Sequence, residues 1–127
     1  MNQELDVIYN RYGEPVLRLL NNGRFVNFDG ESAGFIDGKN LYNYDGEHVG
    51  WFEGGVMRDH EGATVGFGES PTDTPHPFLP FKQLKPFPAF VEFEPFRPFK
   101  QFAPFQSFKR FNWSEIEPLD LFLESYE

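Results

Sequence analysis

Phenylalanine occupies every third position from Phe78 to Phe111, with Leu84 as the single exception. A period of three does not fit a strand, whose side chains alternate with a period of two, or one face of an α-helix, which turns every 3.6 residues. Seven prolines between residues 77 and 104 also exclude a long helix. Polyproline II has three residues per turn, so the sequence predicts an extended segment that carries all of these rings on one edge.

The length of this ladder predicts where it runs. At ~3.1 Å per residue it spans about 105 Å, while a compact body of about 70 residues has a circumference of roughly 90 Å. Residues 1–70 carry 12 acids and 5 bases, whereas residues 78–111 carry 6 bases and 2 acids, so opposite charges would meet. We therefore expect the ladder to wrap once around the rest of the chain and to bury its rings there, since burying one Phe is worth about 1.5–3 kcal/mol.

The first 70 residues contain four repeats. The segments "IYNRYGEPV", "FVNFDGESA", "LYNYDGEHV" and "MRDHEGATV" align when their glycines are superposed. In each repeat an apolar residue lies five positions before that glycine, and an Asn or Asp lies three positions before it. The residues that define the repeat are Gly13, Gly30, Gly46, Gly62, Asn10, Asn27, Asn43 and Asp59.

Each repeat is typical of a β-hairpin, because short strand-like runs such as "LYNY" and "HVGWF" flank a turn sequence, "DGE". Glycine supplies the positive φ of a tight turn, and the Asx side chain can bond the turn backbone. A lone hairpin is barely stable in water, so the four hairpins must share one core, and closing them in a ring removes exposed sheet edges. The predicted fold is all-β, with four hairpins closing into a small barrel-like sheet of approximate fourfold symmetry.

The chain divides into three parts: a four-repeat β domain over residues 1–70, an extended Pro/Phe-rich tail over residues 71–112, and a short amphipathic helix over residues 113–127. Ser114 and Glu117 have the spacing of a capping box, although Pro118 follows awkwardly. The predicted apolar face of this helix consists of Ile116, Leu119, Phe122 or Leu123, and Tyr126.

Several classes of function are disfavoured by composition. The chain has no cysteine, so it has no disulfide and no thiolate chemistry, and its net charge of -9 argues against nucleic-acid binding. The first residues do not resemble a signal peptide, and no apolar run of about 18 residues occurs, so we expect a cytoplasmic protein. No nucleophile elbow, phosphate loop or metal-ligand spacing is present, so we expect no cofactor, no metal and no enzymatic activity.

A few residues remain candidates for binding. Tyr42, Tyr44, Trp51 and Phe52 could line an apolar pocket, although packing in the core is the favoured interpretation. Together with the ladder residues Phe87, Phe96 and Phe99 they form the predicted binding surface. His60 lies between Asp59 and Glu61, but a solvated turn is favoured over a metal or acid–base site. The acidic hairpin tips could hold a hard cation, and the Asx residues could line a pore; exposed turns and turn bonding are favoured over both.

The repeats resemble those of the four-fold beta flower proteins, a family of small bacterial proteins without an assigned function. The resemblance rests on "LYNYDGEHVGWFEGGVMRDHEGATVGF", within which "GWFEGG" is the most specific part, and on the period-three ladder followed by "WS" and "LF". Phe stands here where the family ladder more often has Val. The resemblance implies a shallow symmetric barrel with an apolar central channel and no catalytic residues.

Three functions follow as expectations. The favoured one is a non-catalytic binding or assembly module that uses the rim, the channel or the Phe tail to bind a protein or a small apolar ligand. The second is peripheral membrane association through the basic, Phe-rich tail. An enzyme is the least favoured. The ladder could also exchange between chains and produce an oligomer.

Overall fold

The computed structural model describes residues 3–123, and its main body is a closed barrel of eight antiparallel strands. Each strand pairs with its neighbours in chain order, and β8 returns to pair with β1, so the all-β barrel expected from the repeats is confirmed. The strands are β1 (Glu4–Tyr9), β2 (Pro15–Leu20), β3 (Arg24–Val26), β4 (Ser32–Asp37), β5 (Asn40–Tyr42), β6 (His48–Glu53), β7 (Val56–Arg58) and β8 (Thr64–Phe67).

The four hairpin turns share one geometry, which the repeat sequence encodes. In the third hairpin the Asn43 side-chain oxygen accepts hydrogen bonds from the backbone N–H groups of Asp45 and Glu47, both at 3.0 Å. The corresponding Asx residue makes the same pair of bonds in each of the other three hairpins. Gly46 has a φ of +83°, which an L side chain rarely adopts. We call these four turns, residues 10–14, 27–31, 43–47 and 59–63, the tip turns. The turns at the opposite end of the barrel, which join β2 to β3, β4 to β5 and β6 to β7, are the link turns.

The barrel interior is filled with apolar side chains that the repeat places at equivalent positions. The residue five positions before each tip glycine points inward and is completely buried; these residues are Ile8, Phe25, Leu41 and Met57. Because strand side chains alternate between faces, the neighbouring residues point outward. The interior is therefore a packed core built from four similar contributions.

A short helix, α1 (Pro118–Leu123), closes one end of the barrel. Leu121 and Phe122 are buried in the core, and the Phe122 ring lies 5.4 Å from the Phe25 ring, centroid to centroid. Gly34 makes this docking possible, because a Cβ at that position would overlap the Phe122 ring. The apolar channel implied by the family resemblance is thus occupied here by the chain's own side chains.

The helix differs from its prediction in start and in buried face. It begins at Pro118 rather than before it, which suits proline because the first helical residue needs no N–H partner. Ser114 precedes the helix and accepts a hydrogen bond from the Ile116 N–H at 3.1 Å. Leu121, absent from the predicted face, is buried, whereas Leu123 is 65% exposed. Tyr126 lies outside the described residues.

A second layer of aromatic residues covers the outside of the barrel. Phe35, Trp51 and Phe67 each follow a strand glycine, face outward and are buried. The Arg97 guanidinium carbon lies 4.9 Å from the centroid of the Phe35 ring, and the Trp113 ring lies 6.2 Å from that of Phe67. The outer layer therefore depends on residues from the C-terminal part of the chain.

Candidate functional site

The strap, defined as residues 71–112, encircles the barrel of its own chain. Four strap residues spaced nine apart each donate a backbone N–H to the carbonyl of one tip glycine, at 2.8–3.0 Å. The pairs are Gln83 with Gly13, Glu92 with Gly30, Gln101 with Gly46, and Arg110 with Gly62. The strap passes the four hairpins in chain order and completes one turn, as its length predicted.

The strap has three edges with different tasks, as expected of a segment with three residues per turn. One edge supplies the N–H groups that bond the tip turns. The next edge supplies side chains that reach the link turns: Arg97 donates to the Asn22 carbonyl at 2.8 Å, and the Lys100 ammonium lies 3.3 Å from the Asp37 carboxylate. Since these two edges face the two ends of the barrel, the third edge points away from it.

The third edge carries the ladder, and its side chains are in solvent. We call these residues the belt: Phe78, Phe81, Leu84, Phe87, Phe90, Phe93, Phe96, Phe99, Phe102, Phe105, Phe108 and Phe111, which are 74–102% exposed. The prediction that the rings bury against the barrel is therefore wrong. The single apolar edge was correct, but it faces outward.

Backbone and charge explain this orientation. The tip turns present carbonyl acceptors and the link turns present carboxylates, so the barrel surface matches strap N–H groups and lysines better than it matches rings. Lys109 illustrates the match, with its ammonium 3.1 Å from the carboxylate of Glu53 at the end of β6. The outer layer of barrel aromatics already fills the apolar space between barrel and strap, which leaves no site for the ladder rings.

The structure divides the predicted binding surface into two groups. Tyr42, Trp51 and Phe52 are buried by packing and are not available to a ligand. Tyr44 is half-buried and donates its hydroxyl to the Glu94 carboxylate at 2.7 Å. Burial and this carboxylate raise the pKa of Tyr44. The ladder members Phe87, Phe96 and Phe99 lie on the exposed belt, which is the larger apolar surface.

The structure also joins two histidines that sequence spacing does not connect. His48 Nδ1 lies 2.9 Å from His60 Nε2, and His48 Nε2 lies 3.1 Å from the side-chain oxygen of Asn40. The amide oxygen can only accept, so His48 donates from Nε2 and accepts from His60 at Nδ1. The two residues lie on neighbouring hairpins. His48 follows its tip glycine by two residues and His60 precedes its own by two, so the repeat pattern does not pair them.

The other contacts of the two histidines are with Ser107 and Trp51. Ser107 donates its hydroxyl to the His60 backbone carbonyl rather than to a ring nitrogen. Within residues 3–123 no three His, Cys, Asp or Glu side chains come together as metal ligands would. The Trp51 ring packs edge-on against both imidazoles, at 5.0 and 5.5 Å. The pair is thus a hydrogen-bonded element between the third and fourth hairpins, with His48 buried and His60 half-buried.

Because of this pair, the free energy of unfolding should decrease as the pH is lowered. Burial lowers the pKa of His48 from 6.5 to about 4, and burial also lowers the pKa of His60. A group whose folded-state pKa is depressed contributes its full stability above its unfolded-state pKa and loses it as the pH falls, so the loss should run from about pH 6.5 toward pH 4. We expect on the order of 2 kcal/mol to be lost over that range. Urea unfolding at several pH values should show this slope in the wild type and in His76→Gln, and a much smaller slope in His48→Gln; equal slopes in all three would contradict it.

Arg58 connects the two ends of the strap. Arg58 is 1% exposed, and its guanidinium donates to the carbonyl of Pro75 near the start of the strap and, at 3.3 Å, to the carbonyl of Arg110 near its end. It also lies 3.3 Å from the Asp73 carboxylate. Lys109 and Arg58 together hold the pKa of Asp73 below its usual value. Arg58 therefore acts as a clasp that closes the strap on the fourth hairpin.

These features define a class of small all-β repeat proteins: four hairpins close into a barrel that a helix plugs and a strap encircles. The model of the 4-fold beta flower protein family matches residues 6–122. The chain therefore belongs to the 4-fold beta flower family. No curated protein and no solved structure matches it. Among the described residues, no helix has the length and apolar character needed to cross a membrane.

Proposed function

We propose that this protein is a non-catalytic binding module whose working surface is the belt. One observation carries the proposal: twelve apolar side chains in an unbroken row are 74–102% exposed. An aromatic side chain contributes about 150–250 Å², so the belt presents about 2,000 Å² of apolar surface. The largest apolar patch of an ordinary monomer is about 300–600 Å², and larger patches mark interaction sites.

The belt is held ready for binding. Its backbone is fixed to each hairpin by the N–H bonds to the tip glycines, and five of the six basic residues between 78 and 111 pair with acids: Lys82, Lys85, Arg97, Lys100 and Lys109. A binding surface that is already ordered pays less conformational entropy when its partner arrives. The rings contribute little to the fold, which leaves them free to serve a contact outside the chain.

Retention on a hydrophobic-interaction column tests the proposal. The triple variant Phe87→Ser, Phe96→Ser and Phe99→Ser should elute well before the wild type, and each change should alter the free energy of unfolding by less than about 0.5 kcal/mol because the rings are exposed. A matched control replaces two exposed apolar residues outside the belt, Leu5 and Tyr12, with Ser; its retention should change little. Equal retention of the triple variant and wild type would refute the proposal.

A further inference from the structure

We propose that the belt inserts edge-on into the interface of an electrically neutral phospholipid bilayer. The belt side chains, which we call rungs, enter a few at a time, namely those beside one hairpin. This inference rests on the proposed function and names the partner of the same surface. Three observations support it: the convex shape of the belt, the pairing of the basic residues of the strap, and the carboxylates on either side of the belt.

The convex shape disfavours a rigid protein partner or a second copy of the chain. The strap bonds a tip glycine every nine residues, so each hairpin presents three rungs, a quarter of the belt. Two convex edges that meet would bury about 500 Å² from each chain, less than the ~800 Å² per partner of a standard interface. Acyl chains are fluid and adapt to a convex surface, so they can surround the rungs of one hairpin without a matching cavity.

The charges favour a neutral bilayer over an anionic one. Sequence composition predicted that the basic tail would attract anionic lipid, but the lysines of the strap are occupied by the barrel. Lys85 lies 3.1 Å from the Glu69 carboxylate and Lys100 lies 3.3 Å from that of Asp37. The complete chain has a net charge of -9, so an anionic surface should repel it at low salt.

Carboxylates flank the belt on both sides and determine the orientation. Asp29 and Asp45 belong to the tip turns, and Asp37 and Glu53 belong to or adjoin the link turns. An approach along the barrel axis would press one ring of carboxylates into hydrocarbon, which is costly. An edge-on approach leaves both sets at headgroup level. There the exposed Asp29 and Asp45 carboxylates and the adjacent rings meet the choline cation of phosphatidylcholine, while Asp37 and Glu53 keep their lysine partners.

Flotation with vesicles tests the inference on the wild-type protein. We expect the protein to float with pure phosphatidylcholine vesicles. Vesicles in which part of the phosphatidylcholine is replaced by phosphatidylglycerol should bind it several-fold more weakly at low salt, and high salt should remove the difference. Absence of flotation with phosphatidylcholine, or stronger flotation with the anionic vesicles at low salt, would overturn the inference.

Variants assign the binding to the belt. Replacing all twelve belt residues with Ser should lower the apparent affinity for phosphatidylcholine vesicles by more than about tenfold, because interfacial binding scales with inserted apolar area. The Leu5→Ser, Tyr12→Ser control should float like the wild type. Unchanged flotation of the twelve-residue variant would overturn the inference, and its circular dichroism melt shows whether it has folded.

The failure of this inference can be told apart from the failure of the proposed function. Suppose that the wild type does not float with vesicles, but a native mass spectrum of gently purified protein shows a dimer or a bound protein that the belt variant lacks. The inference is then wrong, and the proposed function as a binding module is retained. If the protein ignores vesicles, is a bare monomer and elutes from the hydrophobic column like its triple variant, both fall.

Discussion

Replacing Phe122 with Ala is expected to lower the free energy of unfolding by about 3–5 kcal/mol, the usual cost of removing a buried Phe ring. Phe122 is 2% exposed and packs on Phe25 inside the barrel mouth. Its removal would leave a cavity at the point where the helix and the strands meet. Because only residues 113–117 separate the helix from the strap, loosening the helix would also weaken closure of the strap.

The matched control is the same substitution on the belt. Phe102 is fully exposed, so Phe102→Ala should change the free energy of unfolding by less than about 0.5 kcal/mol. Urea unfolding of both variants followed by circular dichroism measures the difference. Large losses at both positions would mean that the ladder rings are buried, and small losses at both would mean that the helix does not seal the barrel.

Arg58→Met should be the second most damaging change, with an expected loss of about 3 kcal/mol. It would leave the carbonyls of Pro75 and Arg110 without their donor and would remove one of the two cations that pair with Asp73. Breaking a buried ion pair from one side is costly because the remaining charge stays in a poorly solvated place. Met keeps much of the side-chain volume, so the loss would report on the hydrogen bonds rather than on a cavity.

The Arg58 effect should also be local, because the arginine clasps the two ends of the strap. Relative to the wild type, Arg58→Met should accelerate hydrogen exchange of the Arg110 N–H, which bonds Gly62. It should accelerate exchange of the Glu92 N–H much less, because that group bonds Gly30 on a hairpin that Arg58 does not contact. Arg11→Met is the control, since Arg11 is exposed. Uniform acceleration along the strap, or a loss no larger than that of Arg11→Met, would contradict the clasp.

The barrel was predictable because its signals are local and repeated four times. Gly46 and Asn43 fix a turn through their own backbone and side chain, and the same pair recurs at each hairpin, so four weak signals reinforce one another. The ladder period predicted that all of the rings share one edge, and the length of the tail predicted one turn around the barrel. These properties depend on spacing along the chain, which the sequence gives directly.

The direction of the ladder was not predictable from the same signals. Period three places the rings on one edge but does not say which edge meets the barrel, and the hydrophobic effect alone favours the wrong answer. Two features decide the direction. The carbonyls of the tip glycines accept hydrogen bonds from the backbone N–H groups of Gln83 and its equivalents on the strap, and outer aromatic residues such as Trp51 already fill the space beneath the strap. The His48–His60 contact was missed for a related reason, since it forms between hairpins rather than within one.

Fluorine NMR of protein labelled with 4-fluorophenylalanine tests the outward belt most directly. The chain has 17 Phe residues, of which 11 lie on the belt, whereas residues such as Phe25 and Phe122 are buried in the core. A soluble paramagnetic agent should broaden the belt signals and spare those of the core. Belt signals as protected as those of Phe25 would show that the ladder is buried, and the account of the belt as the binding surface would be wrong.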